Sequence, residues 1–238
     1  MSDFLKVIEV EHYTDTLFRI RTERPASHRY TAGQFTMIGM GDDDISRAYS
    51  YTSGPYDDYL EFYSIKVPDG PLTSRLQHIA VGDTIEVGNR PTGTLTLANL
   101  ELGGNLWMLA TGTGIAPFIS LLRDPETFDS FDKIHVAWSV RTCAELLSYH
   151  EFLQDLPIDY VPTVTRDAEW AECNQRITTM IKHGILMTGS EPSRDKVMIC
   201  GSIGFNDDVK QLLTSKGWEE GSKRTVGSFV QEKAFVQK

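Results

Sequence analysis

The N-terminal part of the chain alternates hydrophobic and polar positions in short runs that end at turn residues. Runs rich in β-branched and aromatic residues predict six strands, over Lys6–His12, Leu17–Thr22, Gln34–Met40, Arg47–Thr52, Leu60–Val67 and Thr84–Gly88. Glycine, proline and aspartate separate them at the spacing of an antiparallel barrel. One helix interrupts the series, because Leu72, Leu76 and Ile79 recur at helical spacing after Gly70-Pro71.

From about residue 99 the pattern changes to apolar runs that alternate with helical stretches. The apolar runs predict strands over Trp107–Ala110, Ile134–Trp138, Asp159–Val164 and Val197–Cys200. The stretches that follow them predict helices over Ala116–Arg123, Ala144–Leu156, Arg176–His183 and Asn206–Lys216. Such alternation is typical of a parallel sheet with helices on both faces. We therefore expect two domains that meet near residues 92–100.

Composition narrows the class of protein. A chain of 238 residues can bury one or two cores, and its net charge of −10 argues against nonspecific binding of nucleic acid. The three cysteines, Cys143, Cys173 and Cys200, have neither metal-site nor disulfide spacing, so we expect no metal and a reducing, cytoplasmic environment. No apolar run is long enough to span a bilayer and the first residues lack a signal-peptide core, so we expect no membrane association.

A glycine turn follows the strand Trp107–Ala110. Thr111-Gly112-Thr113-Gly114 leads into a helix with Pro117 in its first turn. Glycines let backbone N–H groups approach a phosphate, and the helix dipole favours the negative charge. The two threonine hydroxyls would then lie beside a pyrophosphate. An ordinary strand–turn–helix corner is the alternative reading.

Two segments of the predicted barrel carry similar chemistry. In Arg47-Ala48-Tyr49-Ser50, arginine can clamp a pyrophosphate, tyrosine offers a flat face to a flavin ring, and serine can hydrogen-bond a flavin nitrogen. In Gly70-Pro71-Leu72-Thr73-Ser74, Gly70 is the expected N-cap and Pro71 the first helical residue. The N–H groups of Leu72, Thr73 and Ser74 would then be free to bind a phosphate, together with the hydroxyls of Thr73 and Ser74. The alternatives are an exposed arginine on a barrel strand and a capped surface helix.

Taken in order, these motifs resemble the ferredoxin–NADP(+) reductase family, in particular its short bacterial ferredoxin/flavodoxin reductases. The motifs are Arg47–Ser50, Gly70–Ser74, the turn Gly112–Pro117, Cys200-Gly201 and the ending Ala234-Phe235-Val236. The resemblance covers essentially the whole chain. It implies an antiparallel six-stranded barrel that holds FAD, residues 1–97, followed by a doubly wound, five-stranded parallel sheet that binds NADP(H), residues 98–238, with a C-terminal tail that returns to the FAD.

The resemblance also implies roles for individual residues. Tyr49 would lie against the flavin ring, Ser50 near its N5 atom, and Cys200 opposite the nicotinamide carbon, which makes these three the expected catalytic residues. A small buried residue at the end of a strand is the alternative reading for Cys200. The expected cofactor-binding residues are Arg47, Ala48, Tyr49, Ser50, Phe62, Ser64, Ile65, Val67, Gly70, Leu72, Thr73, Ser74, Thr92, Thr111, Gly112, Thr113, Gly114, Cys200 and Gly201.

Three arginines and the C-terminal tail complete the expected site. Arg141 and Arg166 follow predicted strands, where α/β folds bind ligands, and Arg176 lies further along the chain. Each could be a solvated charge, but matching family positions imply that the three hold the 2′-phosphate and select NADPH over NADH. Ala234 stands where plant-type members have a tyrosine on the flavin, and Phe235 is expected to stack on the adenine.

The resemblance implies an FAD-dependent reductase that works as a monomer. NADPH would deliver a hydride to flavin N5, and electrons would then pass singly and reversibly to ferredoxin or flavodoxin. One alternative is an NAD(P)H-dependent reductase component of an oxygenase, or a free-flavin reductase. A noncatalytic nucleotide-binding regulator is a further alternative.

Overall fold

The computed structural model describes residues 2–167, 170 and 173–234. The chain divides into two compact units. The first contains the residues up to Gly93 together with Ala116–Asp124, and the second contains Thr94–Ile115 and the residues from Pro125 onward. The predicted domain boundary between residues 97 and 98 stays a prediction. In the described part of the chain, no helix is long and apolar enough to cross a membrane.

The first unit is an antiparallel, nearly closed barrel, as the sequence predicts. Its strands are β1 Ser2–His12, β2 Leu17–Glu23, β3 Phe35–Gly39, β4 Ser46–Ser50, β5 Tyr59–Ile65 and β6 Thr84–Gly88. They follow the order β4-β3-β6-β1-β2-β5. A bridge from Tyr51 to Phe62 joins the two edge strands, and the N–H of Thr52 donates to the carbonyl oxygen of Glu61 at 2.9 Å. The alternating apolar side chains of the strands meet inside the barrel, where Phe18, Ile20 and Ile85 are buried.

The short helix that follows β5 differs from its prediction. Helix α1 spans only Thr73–Leu76, with Leu72 rather than Gly70 at its N-cap. The N–H of Ser74 donates to the carbonyl oxygen of Gly70 at 3.1 Å, so it is not free as predicted. Leu72 and Leu76 are both buried in the barrel core. Because a short helix is stabilised mainly by such packing, its position follows these two contacts.

Helix α2, Ala116–Leu122, belongs to the barrel unit although it follows the glycine turn in the chain. The Ser120 hydroxyl donates to the carbonyl oxygen of Ser53 at 2.7 Å. Just after the helix, the Arg123 guanidinium lies 3.3 Å from the carboxylate of Glu61, which is fully buried. Arg19 and Arg21 also pair with Glu61, at 3.2 and 2.6 Å, and these cations lower the pKa of Glu61 against the opposing effect of burial. The helix is therefore tied to the barrel by buried polar contacts.

The second unit contains a parallel sheet. Its strands are β7 Asn105–Thr111, β8 Lys133–Val140, β9 Asp159–Val164, β10 Asp195–Gly201 and β11 Phe229–Lys233, in the order β11-β10-β7-β8-β9. The chain starts at β7, winds outward to β9 and then returns to β10 and β11, which makes the sheet doubly wound, as predicted. This order places the topological switch point between β7 and β10.

The helices of this unit follow its sequence pattern only in part. They are α3 Pro125–Asp129, α4 Cys143–Leu146, α5 His150–Gln154, α6 Ile177–Lys182 and α7 Ile203–Thr214, with short 3₁₀ turns at Leu97–Asn99 and Gly112–Ile115. Helices α6 and α7 cover one face of the sheet through buried residues such as Ile177 and Val209. The predicted continuous helix Ala144–Leu156 is wrong, because Tyr149 has the non-helical backbone angles φ −141° and ψ 6°. Strand β11 has no counterpart among the strands that the hydrophobic pattern predicted, and only the family resemblance implied a fifth strand.

Candidate functional site

The barrel presents an exposed edge strand, β4, that carries the predicted tetrad. Arg47 and Tyr49 lie on one face of this strand, and Ala48 and Ser50 lie on the other. Arg47 and Ala48 are exposed to solvent, and the Arg47 guanidinium donates to the carbonyl oxygen of Ser46 at 2.7 Å. Within the described residues, Arg47 makes no ion pair. Its charge can therefore bind an anion without displacing a carboxylate.

Tyr49 is held by a neighbour on β5. Its hydroxyl lies 3.1 Å from the hydroxyl of Ser64, which is buried. Burial raises the pKa of Tyr49, so the phenol stays protonated over the physiological range. The tyrosine therefore presents a neutral ring in a fixed position, which is what stacking against a flat ring system requires.

Ser50 and Thr92 lie on either side of Phe35. Ser50 is the cross-strand partner of Phe35 in the ladder between β3 and β4. On the other side, the N–H of Phe35 donates to the carbonyl oxygen of Thr92 at 2.8 Å, and the N–H of Thr92 donates back at 3.0 Å. The fold thus brings together two predicted site residues that are far apart in the chain. Phe35 was not among the predicted site residues, because the sequence pattern gives it only a place in the barrel strand Gln34–Met40.

The side chains of two predicted residues of this region have structural roles. The Phe62 side chain is 1% exposed and packs in the barrel core, so a contact of this residue with the cofactor through its backbone stays a prediction. The Thr73 hydroxyl donates to the carbonyl oxygen of Val67 at 3.1 Å and also accepts from the Val67 N–H at 3.3 Å, so it is not free to bind a phosphate as predicted. These bonds hold the loop between Ile65 and α1 in place. Of the two hydroxyls that the sequence predicted to bind phosphate, only that of Ser74 is left for this role.

In the second unit, the glycine turn packs directly against Cys200-Gly201. The Thr111 hydroxyl accepts from the N–H of Ser202 at 3.1 Å. A Cβ atom added to Gly114 would collide with the backbone carbonyl of Cys200, and one added to Gly201 would collide with the Thr111 side chain. The two motifs therefore fit together only because both positions are glycine. They meet at the carboxyl ends of β7 and β10, at the switch point of the sheet.

The glycine turn is also fixed from its other side. The indole N–H of the buried Trp138 donates to the carbonyl oxygen of Gly112 at 2.9 Å. Gly112 itself has φ +54°, a conformation that glycine adopts without strain. Thr111, Gly112 and Thr113 remain partly exposed. The backbone of the turn is therefore rigid and accessible, as an anion site requires.

Cys200 is a buried, neutral thiol. It is 1% exposed, and burial together with the nearby Glu232 carboxyl raises its pKa well above the ordinary value. A thiol in this environment is a poor nucleophile. The geometry fits a packing role for Cys200 rather than a covalent one.

Glu232 is the residue of this site that the sequence reasoning missed. It lies on β11 directly opposite Cys200. Burial raises its pKa to about 7, even though the backbone of Thr94 hydrogen-bonds the carboxyl. Its Oε2 atom is buried and has no hydrogen-bond partner among the described residues. The only signal in the sequence was an acidic residue that continues the apolar run Phe229-Val230.

The structure joins two of the three predicted arginines. The N–H of Arg166 donates to the carbonyl oxygen of Arg141 at 2.9 Å, so the loops after β8 and β9 run side by side. The carboxylates of Glu145 and Asp167 accept from the backbone N–H groups of Arg141 and Cys143, at 3.0 and 3.2 Å. Both guanidinium groups are left exposed.

Arg176 and the tail residue Ala234 are the remaining predicted site residues that the structure describes in this unit. Arg176 is exposed to solvent and is the N-cap residue of α6, but its side chain makes no capping hydrogen bond. At the tail, the N–H of Ala234 donates to the carbonyl oxygen of Gly201 at 3.0 Å, which places Ala234 beside the glycine turn. The prediction for Phe235 lies outside the described residues.

Comparisons with known proteins extend over the whole chain. A family model for the oxidoreductase NAD-binding domain matches residues 108–211. Ferredoxin–NADP reductase A of Sorangium cellulosum is 43% identical over 97% of this chain and 89% of its own length. The flavodoxin/ferredoxin–NADP reductase of Rhodobacter capsulatus is 44% identical over 99% of this chain and 94% of its own length. The crystal structure of a ferredoxin NADP+ reductase from Neisseria gonorrhoeae with bound FAD and NADP has a TM-score of 0.91 and 33% identity, and the match covers 98% of this chain and 99% of that one.

Proposed function

The chain belongs to the ferredoxin–NADP reductase family, and we propose that it moves a hydride from NADPH to FAD and then passes single electrons, reversibly, to a ferredoxin or flavodoxin. It is an oxidoreductase that uses FAD and NADP(H). The observation that supports the proposal is the contact between the glycine turn Thr111–Gly114 and Cys200-Gly201, which lies at the switch point of the sheet, where α/β folds bind nucleotides.

The barrel residues fit FAD. The Arg47 guanidinium, which makes no ion pair within the described residues, suits the pyrophosphate, and the neutral ring of Tyr49, braced by Ser64, suits the flat face of the flavin. Ser50 and Thr92 pair with Phe35 through the backbone, and we propose that Ser50 supplies a hydroxyl to the flavin. The accessible N–H groups of Gly70–Ser74 are fewer than the sequence suggested, so Arg47 carries more of the pyrophosphate binding.

The sheet residues fit NADP(H). The turn Thr111–Gly114 offers a rigid backbone to the pyrophosphate, and Arg141 with Arg166 offers two guanidinium groups to the 2′-phosphate. Arg176 is the proposed third cation, at the N-cap of α6. FAD supplies the redox chemistry, because it accepts electrons in a pair and releases them singly.

Glu232 and Cys200 form the base of the nicotinamide site. Cys200 is a small, neutral residue that leaves room for the nicotinamide ring to approach, and Gly201 lets the Thr111 side chain of the glycine turn pack directly against it. Glu232 holds a proton on its carboxyl below about pH 7 and releases it above. A neutral carboxyl there adds no negative charge beside the site.

Membership of the family supports a proposal for the electron partner. We propose a transient complex with a ferredoxin, a flavodoxin or both, formed by a monomer. The three cysteines are free thiols, which suits a reducing cytoplasm. Reduction of an oxygenase component, or of free flavin, is the alternative role for the same cofactors.

Rapid mixing of the FAD-loaded protein with NADPH and with NADH tests the proposal. The flavin absorbance should bleach much faster with NADPH, since NADH lacks the phosphate that the arginines bind. Assays with purified ferredoxin, flavodoxin and free FMN as acceptors then identify the carrier. Equal rates with both nucleotides would contradict the predicted cofactor preference, and reduction of free FMN alone would favour the alternative.

A further inference from the structure

Helix α7 carries a polar residue in the stripe that it buries. Its buried positions are Asn206, Val209 and Leu213, which recur at the spacing of one helical face. Val209 and Leu213 pack into the core of the sheet, as that face requires. Asn206 is 0% exposed on the same face, where an apolar residue would pack without leaving an amide to satisfy. Asparagine is also a weak helix former, so neither packing nor propensity explains it.

The Asn206 amide is only half satisfied. Its Nδ2 atom donates to the backbone carbonyl oxygen of Glu232 at 2.8 Å. Its Oδ1 atom is buried and has no hydrogen-bond partner among the described residues. A buried amide whose oxygen lacks a hydrogen-bond donor lowers the stability of the fold. This cost points to a role for the hydrogen bond that the Nδ2 atom makes.

Glu232 lies on the edge strand of the sheet. Within the described residues, β11 pairs with β10, and a single bridge joins Phe229 at its start to Glu220, so the sheet supports Glu232 from one side. Asn206 reaches the same residue from α7, which begins two residues after Cys200 at its N-cap, Ser202. Helix α7 is thus hydrogen-bonded to β11 at Glu232, the residue that pairs with Cys200.

We propose that Asn206 is a positioning residue that holds Glu232 beside Cys200 by donating a hydrogen bond to its backbone carbonyl. The inference rests on the proposed function, in which Glu232 and Cys200 form the base of the nicotinamide site. When the bond is lost, β11 keeps its pairing with β10 but the Glu232 backbone is no longer held by α7, and we expect the carboxyl to gain access to water.

The surroundings of the carboxyl determine what its displacement would do. The groups that act on it are the Cys200 thiol of β10, the Lys223 ammonium of the loop before β11 and the backbone of Thr94. Burial outweighs the two groups that favour the charged form, Lys223 and Thr94, and it keeps the pKa raised. Exposure to water should therefore lower the Glu232 pKa towards the ordinary value.

The test compares Asn206→Leu with Val209→Ala. Leucine keeps the volume and removes the donor, whereas Val209→Ala loosens the same helix face one turn later without touching a hydrogen bond. The holoenzyme is labelled with ¹³C at glutamate side chains, and the carboxyl signals are followed by NMR across pH. Glu232→Gln identifies the Glu232 signal by its loss. Asn206→Ala is measured in parallel, so that the comparison stands if the leucine variant does not fold.

We expect the Glu232 titration to move towards lower pH by about one unit in Asn206→Leu and to stay in place in Val209→Ala. At saturating NADPH, flavin reduction should slow by roughly tenfold in Asn206→Leu, while the Kd for NADP+ changes little. An unchanged titration in both Asn206 variants, or the same shift in Val209→Ala, would overturn the inference. If Glu232→Gln leaves flavin reduction unchanged, the proposed role of Glu232 fails, whatever the NMR titration shows for Asn206.

Discussion

At the scale of single residues, Glu232 makes stability depend on pH. Its folded pKa of about 7 lies above the ordinary 4.5. Between these values the unfolded chain has released the proton that the folded protein still holds, so the free energy of unfolding falls as pH rises from about 4.5 to 7 and is level above. The Glu232→Gln variant cannot titrate and should lack this fall, which amounts to at most about 3 kcal/mol.

Urea unfolding of the wild type and of Glu232→Gln at about pH 5 and pH 8 measures this difference. Other titrating groups are common to both proteins and cancel in the comparison. Parallel pH dependences in the two proteins would show that Glu232 titrates normally in the folded state.

A second prediction at this scale concerns Arg166. Removing a guanidinium from a phosphate clamp costs roughly 1.5–3 kcal/mol, the range of charge-assisted hydrogen bonds. Arg166→Ala should therefore lower kcat/KM for NADPH by about one to two orders of magnitude and leave NADH nearly unaffected. Steady-state kinetics with both nucleotides measure the effect.

Arg224→Ala is the control for Arg166→Ala, because it removes the same charge from an exposed turn at Ser222–Thr225. It should leave the preference for NADPH intact. An equal loss with NADPH and NADH in Arg166→Ala would mean that Arg166 does not recognise the 2′-phosphate.

At the scale of elements, the glycine turn and α7 differ in how they tolerate a methyl group. A Cβ on Gly114 would collide with the backbone of Cys200, which cannot move without shifting β10. Gly204, near the start of α7, has no atom within 4 Å of an added Cβ. Gly114→Ala should therefore cost about 1–3 kcal/mol of stability and weaken NADP+ binding, whereas Gly204→Ala should be neutral or stabilise by about 0.5–1 kcal/mol.

Thermal unfolding and titration of each variant with NADP+ measure both effects. Since Gly114 lies in the sheet unit, we expect FAD content to be unchanged in Gly114→Ala. Normal NADP+ affinity in Gly114→Ala would show that the close approach of the turn to Cys200 is not required for binding.

At the scale of the whole molecule, the barrel unit is not a continuous piece of chain. Its members include Ala116–Asp124, through the bond from Ser120 to Ser53 and the pairing of Arg123 with the buried Glu61. A fragment of residues 1–97 lacks both contacts, each of which involves a buried polar group worth about 1–3 kcal/mol. We expect this fragment to unfold at lower temperature and less cooperatively than a barrel that contains the helix.

The matched control is the same fragment joined by a Gly/Ser linker to residues 116–124. Calorimetry of the two fragments should show that the appended helix raises the unfolding temperature. If fragment 1–97 alone melts as cooperatively as the linked one, α2 is not an integral part of the barrel unit, and the sequence-based boundary gains support.

The sequence by itself determined the two architectures and the place of the glycine turn at the end of a strand. Alternation with a period of two suffices for barrel strands, because each strand has one buried and one exposed face. Glycine suffices for the turn at 112 because the backbone there has a positive φ, and at 114 because the backbone approaches that of Cys200 closely. Both signals are local, so they can be recognised from neighbours in the chain.

Only the tertiary structure decided which polar groups act together. Glu232 and Asn206 look ordinary in the sequence, and their roles arise because β11 pairs with β10 while α7 packs on both. The sequence predicted that Thr73 and Phe62 bind a cofactor. In the structure the Thr73 hydroxyl bonds the loop residue Val67, and the Phe62 side chain is buried in the barrel core. Burial, raised pKa values and unpartnered atoms depend on segments far apart in the chain, so local patterns cannot reveal them.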